Sequence, residues 1–241
     1  MKTKNSPFKI EISRYIDNKS KILSNTLSLL PKDLSEEIKE LKKATIQGVI
    51  TTNWDCLMEN LFPKYRVYVG QDELIDSAPK SFEEIFKIHG CHKQPNSLVA
   101  TETDYHIFRR KNPYLVAKLL TMFMEHPIIF LGYSLNDPNI SEILRSMISC
   151  LTNENINPFM ERLIFVQWKK DSSVYEMKNI NIIVDDFNIP VLNIRTHEFL
   201  SLYQALASLK RKFPLNFIRF MEEQKYRLEK KGDKKDIIEI S

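Results

Sequence analysis

Residues 48–55 read Gly-Val-Ile-Thr-Thr-Asn-Trp-Asp, "GVITTNWD". A short apolar run rich in β-branched residues is a strand signal. It halts at a carboxamide, an indole and a carboxylate in succession. A buried strand that delivers polar groups to its carboxyl end is how an open α/β sheet builds a ligand crevice. The same pattern recurs twice downstream. "EEIFKIHG" (83–90) is a strand that runs into His89-Gly90, and "PIIFLGYS" (127–134) is a strand that runs into Gly132-Tyr133-Ser134.

Helical periodicity separates these strands. Residues 8–43 read as two or three helices, with Ser6 as a cap, Pro7 at the first helical position, and Leu34, Ile38 and Leu41 on one stripe. "DCLMENLF", "ETDYHIFRR", "NPYLVAKLLTMFMEH", "NDPNISEILRSMISCL" and "HEFLSLYQALASLKRKF" read as further helices. "SLVAT", "RLIFVQW" and "IPVLNIR" read as further strands, and "SSVYEMKNINIIVDDFN" as a helix. Several strands are apolar throughout, as in a parallel sheet covered on both faces. The expected fold class is α/β, a doubly wound (Rossmann-like) parallel sheet flanked by helices. If the three polar-ended strands are neighbours, Asn53, Asp55, His89 and the backbone at Gly132 converge.

Composition sets limits. With 241 residues, 43% hydrophobic and 27% charged, the chain is long enough for a sizeable core. No apolar run approaches a membrane span, and the N-terminus lacks the apolar stretch of a signal peptide. Three scattered cysteines argue against a disulfide framework, so the expected compartment is the cytoplasm. The ten Lys/Arg and six Asp/Glu of residues 208–241 account for the whole net charge of +4. A basic tail is ordinarily a solvated helix face; nucleic-acid binding is the disfavoured reading. The five glycines include no cluster, so neither a G-x-G-x-x-G nor a Walker loop exists here.

Each polar residue also has a plain structural reading. Asn53 could cap the helix that follows it, and Asp137 could cap a helix with Pro138 at its first position. His89 could be a core histidine, and Gly90 and Gly132 turn glycines. "HGCH" (His89, Cys91, His92) with His106 raises zinc, but the two histidines share a turn and no second Cys pair follows, so no metal is expected. A nucleophilic pair of Cys56 or Cys91 with a histidine ranks below a core role for these cysteines.

Taken together, "ITTNWDCLMENLF", "IFKIHGCHKQPNSLVATETDY" and "IIFLGYSLNDPNISEIL", in this order, resemble the sirtuin-like domain of bacterial antiphage defence proteins. The likeness covers roughly residues 8–210. It implies a domain over 1–211, N-terminally incomplete, and a basic helix and tail over 212–241. It implies hydrolysis of NAD to nicotinamide and ADP-ribose in antiphage defence, with NAD as substrate. Asn53 and His89 resemble the family's catalytic pair: the Asn positions water or ribose at the anomeric carbon, and the His is general base. Thr52, Asp55, Gly132, Ser134 and Asp137 resemble residues that contact NAD, Asp55 at the nicotinamide end and Gly132 and Ser134 at the ribose. Asp104 and Tyr105 match a further family pattern without an assigned role. The implied company is a homo-oligomer or a partner defence protein, without membrane.

Two departures follow. Sirtuin deacylases carry a four-cysteine zinc module, which three cysteines cannot form, so hydrolase is favoured over deacylase. The family also begins with a Gly-rich loop of GAG-x-S type that binds pyrophosphate. Its absence implies about sixty further residues of strand, loop and helix on the N-terminal side. A non-catalytic NAD- or ADP-ribose-binding or assembly module of the same fold is the alternative.

Overall fold

A computed structural model describes residues 6–26, 30–76, 82–133, 138–151, 162–170, 175–184 and 187–210. The elements run α1 (Pro7–Thr26), α2 (Lys32–Lys43), β1 (Gly48–Thr51), α3 (Leu57–Leu61), β2 (Arg66–Val69), α4 (Gly70–Asp76) and β3 (Glu84–Lys87). A 3-10 turn (Pro95–Ser97) precedes α5 (Glu102–Lys111), α6 (Pro113–Glu125), β4 (Ile128–Leu131) and α7 (Pro138–Ile148). The chain continues through β5 (Leu163–Trp168), β6 (Glu176–Val184), β7 (Phe187–Thr196) and α8 (Leu200–Ser208).

The strands form two sheets, flanked by helices. One is all parallel in the order β1-β3-β2; the other has the order β4-β5-β7-β6, parallel except for β6. The expected α/β class with parallel strands is what forms. The sheet is not continuous among the described residues, because β1 and β4 are each edge strands.

The all-apolar strands have the expected cause. Side chains alternate across a strand, so adjacent residues serve opposite faces. Phe86 and Ile50 face a core built with Leu115, Leu119 and Phe123 of α6, Leu144 and Met147 of α7, and Phe130 and Phe165 of the second sheet. Their neighbours Ile85 and Val49 face Leu57 and Leu61 of α3 and Ile38 and Leu41 of α2. Full burial of one such side chain contributes roughly 1.5–3 kcal/mol. Leu34, expected on the same stripe as Ile38, is exposed instead. The end of the described chain returns to the start: Glu37 Oε1 accepts the Phe199 N–H at 2.7 Å, and Thr45 Oγ1 donates to the Leu209 carbonyl at 2.9 Å.

Three segments differ from expectation. Residues 176–184, read as helical, form the long strand β6, which pairs antiparallel with β7. Ile180, Ile182 and Val184 repeat with period two, and Ile182 and Val184 are buried, which is strand patterning. "RVYV" forms β2, a strand not anticipated. "SLVAT" forms none; Leu98 and Val99 are buried, and the Val99 N–H donates to the His89 carbonyl at 3.0 Å. The basic segment 212–241 lies outside the described residues.

Candidate active site at the strand ends

The register sets the geometry. Thr51 of β1 pairs with Lys87 of β3, and the Ile88 N–H extends the ladder to the Thr51 carbonyl at 3.0 Å. Asn53 and His89 each stand two residues beyond that pair, in the turns that follow neighbouring parallel strands. β4 joins from the other sheet: the hydroxyls of Thr52 and Tyr133 share a hydrogen bond of 2.7 Å. The three polar strand ends therefore do meet, although they belong to two sheets.

The turn after β1 assigns its polar groups distinct tasks. The Asn53 N–H donates to Thr51 Oγ1 at 3.0 Å, which fixes the backbone and leaves the Asn53 side chain exposed. The other polar residue closes the turn into α3: Asp55 Oδ1 accepts the Leu57 N–H at 2.8 Å, while Cys56 is the N-cap residue. Asn53 is thus not needed as a cap. The Trp54 carbonyl accepts the His92 N–H at 2.9 Å, which ties this turn to the one after β3. The Trp54 indole Nε1 is buried without a hydrogen-bond partner among the described residues.

Lys87 holds the two turns from below. Its side chain is fully buried, its ammonium donates to the Asp55 carbonyl, and it pairs with Glu59 Oε1 at 3.0 Å. A buried ammonium is tolerable only when paired in this way. Sequence reasoning did not single out Lys87, yet a lysine inside the apolar run "IFKI" was the available signal.

His89 is only 4% exposed. The rings of Tyr105 and Phe108 meet it edge-on, with centroids at 5.4 Å and 5.0 Å. This gives Tyr105 the contact that the sequence left unassigned. Asp104 has a structural task. It closes a capping box with Thr101 at the start of α5 and accepts from Lys9 of α1 at 2.5 Å. Burial pushes its carboxyl up, but Lys9 and the donors of Thr101 and Ala100 prevail and hold it down at about 2.

Gly90 and Gly132 both have positive φ, +92° and +77°. Ser134 and Asp137 lie outside the described residues. His106 is exposed on α5 and is not part of the Cys56, Cys91 and His92 group. Cys56, Cys91 and His92 converge below the site, with Cys56 Sγ 3.9 Å from Cys91 Sγ and 3.3 Å from His92 Nε2. Burial, then the neighbouring Cys91, pushes the Cys56 thiol up to about 12, which makes it a poor nucleophile. A shallow cleft of about 310 Å³ past β5 and β7, lined by Gln167, Trp168, Lys169 and Arg195, includes none of the expected site residues. Among the described residues, no helix is long and apolar enough to cross a membrane.

The span that carries these strand ends is also where known proteins match. The profile of the SIR2-like domain matches residues 47–183, from one residue before β1 into β6. The chain belongs to that family. Among curated relatives of this SIR2-like domain, "Defense-associated sirtuin 2" of Bacillus subtilis is 26% identical over 168 residues, 67% of this chain and 16% of that protein. "NAD(+) hydrolase ThsA" of Bacillus cereus (strain MSX-D12) is 31% identical over 117 residues, 46% of this chain and 24% of that protein. "NAD(+) hydrolase ThsA" of Enterococcus faecium is 24% identical over 197 residues, 75% of this chain and 41% of that protein. The chain therefore spans less than half the length of each of these relatives. Their names connect the SIR2-like family with NAD hydrolysis and with defence.

Proposed function

We propose that this SIR2-like domain carries the nicotinamide–ribose wall of an NAD+ hydrolase that acts in antiphage defence. The observation that supports it most is the Thr51–Lys87 register pair, since Asn53 and His89 each follow two residues past it at the ends of neighbouring parallel strands. The reaction breaks the bond between the nicotinamide nitrogen and the ribose anomeric carbon. Positive charge develops on the ribose, as in other glycoside cleavages, and nicotinamide leaves as a neutral molecule. No strong general acid is needed. Asn53, exposed and not spent on capping, holds the attacking water or the ribose at the anomeric carbon. His89 takes the proton that the water loses, and the water oxygen ends on the ribose of ADP-ribose. In this reading Thr52, Gly132 and Ser134 contact the ribose, Asp55 the nicotinamide end and Asp137 the remainder of NAD. The protein would work in the cytoplasm, as a homo-oligomer or with a partner defence protein.

The test is nicotinamide release from NAD by the purified chain. Asn53→Ala and His89→Ala are each expected to reduce release by about 100-fold or more. Full activity in both variants would overturn the assignment. One observation favours a second reading, a domain that binds NAD or ADP-ribose without turnover. His89 is boxed in by Tyr105 and Phe108 and must be uncovered before it can act as a base. Calorimetric heat with ADP-ribose, without nicotinamide release at high protein concentration, would support that reading.

A further inference from the structure

Beneath the strand ends, three soft or borderline donors meet in a buried space that the proposed hydrolysis does not use. Cys56 is 7% exposed, Cys91 3% and His92 5%. Their Sγ, Sγ and Nε2 atoms all lie within 4.8 Å of one another. A tetrahedral zinc ion, with Zn–S of about 2.3 Å and Zn–N of about 2.0 Å, sets its ligands roughly 3.8 Å apart for S···S and roughly 3.5 Å for S···N. The observed separations are 3.9 Å between the sulfurs and 3.3 Å from Cys56 to His92. These two separations are within a few tenths of an ångström of the tetrahedral values, and the third pair, Cys91 with His92, lies within 4.8 Å.

We propose that Cys56, Cys91 and His92 form a Zn2+ site, with a water in the fourth position. Three arguments support zinc over other cations. Thiolate and imidazole select a thiophilic ion, while calcium and magnesium require oxygen donors. Two thiolates and Zn2+ sum to zero charge, which suits a buried site, whereas Cu+ would leave a net negative charge there. The ligands are also held in advance. The Cys91 N–H donates to Ser97 Oγ at 3.0 Å, the His92 N–H to the Trp54 carbonyl at 2.9 Å, and the Gln94 N–H to the Cys91 carbonyl at 2.9 Å. Zinc would join the turn that ends in Cys56 to the turn that begins at Gly90. The first of these turns carries Asn53, and the second follows directly on His89. The proposal does not depend on NAD hydrolysis.

The test uses the purified chain, kept reduced with a thiol-free phosphine so that Cys56 and Cys91 remain thiols. After dialysis against Zn2+ and removal of free metal, elemental analysis is expected to find one zinc per chain. Co2+ substitution is expected to give tetrahedral d–d bands and a thiolate-to-cobalt charge-transfer band. Cys56→Ser, Cys91→Ser and His92→Gln should each abolish stoichiometric binding, while Cys150→Ser, at an exposed cysteine on another element, should retain it. Zinc retained at one per chain in the Cys56→Ser/Cys91→Ser double variant would overturn the site. So would failure of the reduced wild type to bind zinc. If the double variant does not fold, as judged by circular dichroism, the wild-type cobalt spectrum decides: bound Co2+ without the thiolate band also overturns it.

Discussion

The turns after β3 and β4 both pivot on a glycine at positive φ, but they are built in opposite ways. At Gly90 an added Cβ would stand 2.2 Å from the Ser97 carbonyl oxygen; at Gly132 it would meet nothing within 4 Å among the described residues. Around Gly90 the chain is tied down on every side. Lys87 is buried against Glu59 and Asp55, Cys91 bonds to Ser97, His89 to Val99 and His92 to Trp54. Around Gly132 the described tie is the hydroxyl pair of Tyr133 and Thr52. The β1–β3 side of the candidate site is therefore preorganised by many ties, whereas the β4 side carries fewer among the described residues.

The largest test of this contrast is the glycine pair. Gly90→Ala meets backbone that cannot retreat, and should cost about 4 kcal/mol or more in urea unfolding. Gly132→Ala meets only the positive-φ penalty and should cost about 1–2 kcal/mol. Equal costs would erase the distinction. Next in size is Lys87→Ala, which strands Glu59 and the Asp55 carbonyl. A loss of about 3–5 kcal/mol is expected for a broken buried pair, and Lys87→Met with Glu59→Gln should recover part of it.

Asp104 gives a smaller, pH-dependent effect. Its folded carboxyl titrates at about 2, below its ordinary 3.8, so its contribution is fully present above 3.8 and lost as pH falls toward 2. That gap corresponds to about 2 kcal/mol. Asp104→Asn should lose about that much at neutral pH, and its stability should fall less steeply than wild type between pH 4 and pH 2. The smallest effect belongs to the β4 side. Tyr133→Phe removes one hydroxyl bond and should cost about 1 kcal/mol; a double-mutant cycle with Thr52→Val should recover a coupling of that order.

Much of the fold was legible because burial on both faces leaves a plain mark. The continuous apolar runs at β1, β3, β4 and β5 could be read without partners. β6 was misread, because "NINIIV" has both β-branched residues and polar spacers that a helix tolerates, and its pairing partner decides the matter. β2 was missed because four residues beginning with an arginine carry little periodicity. The candidate residues Asn53 and His89 were legible as polar groups at strand ends. That Asp55 rather than Asn53 accepts the first N–H of α3 was not, since both types make such bonds and only the backbone turn selects one. Tyr105 and Phe108 could not be linked to His89 from the sequence, because their contact joins a helix to a strand end.

The sequence alone determined the local commitments: strands of branched apolar residues, helices with their periodic stripes, and glycines where the chain must turn with positive φ. Those follow from short-range sterics and from side-chain period. Only the tertiary structure decided what met what. Parallel register set the turns that carry Asn53 and His89 on neighbouring strand ends, and burial made Lys87 an internal brace. The packing of one turn on another brought Cys56, Cys91 and His92 together from positions up to 36 residues apart. Such contacts depend on how neighbouring strands align, and no spacing within a single segment encodes that alignment.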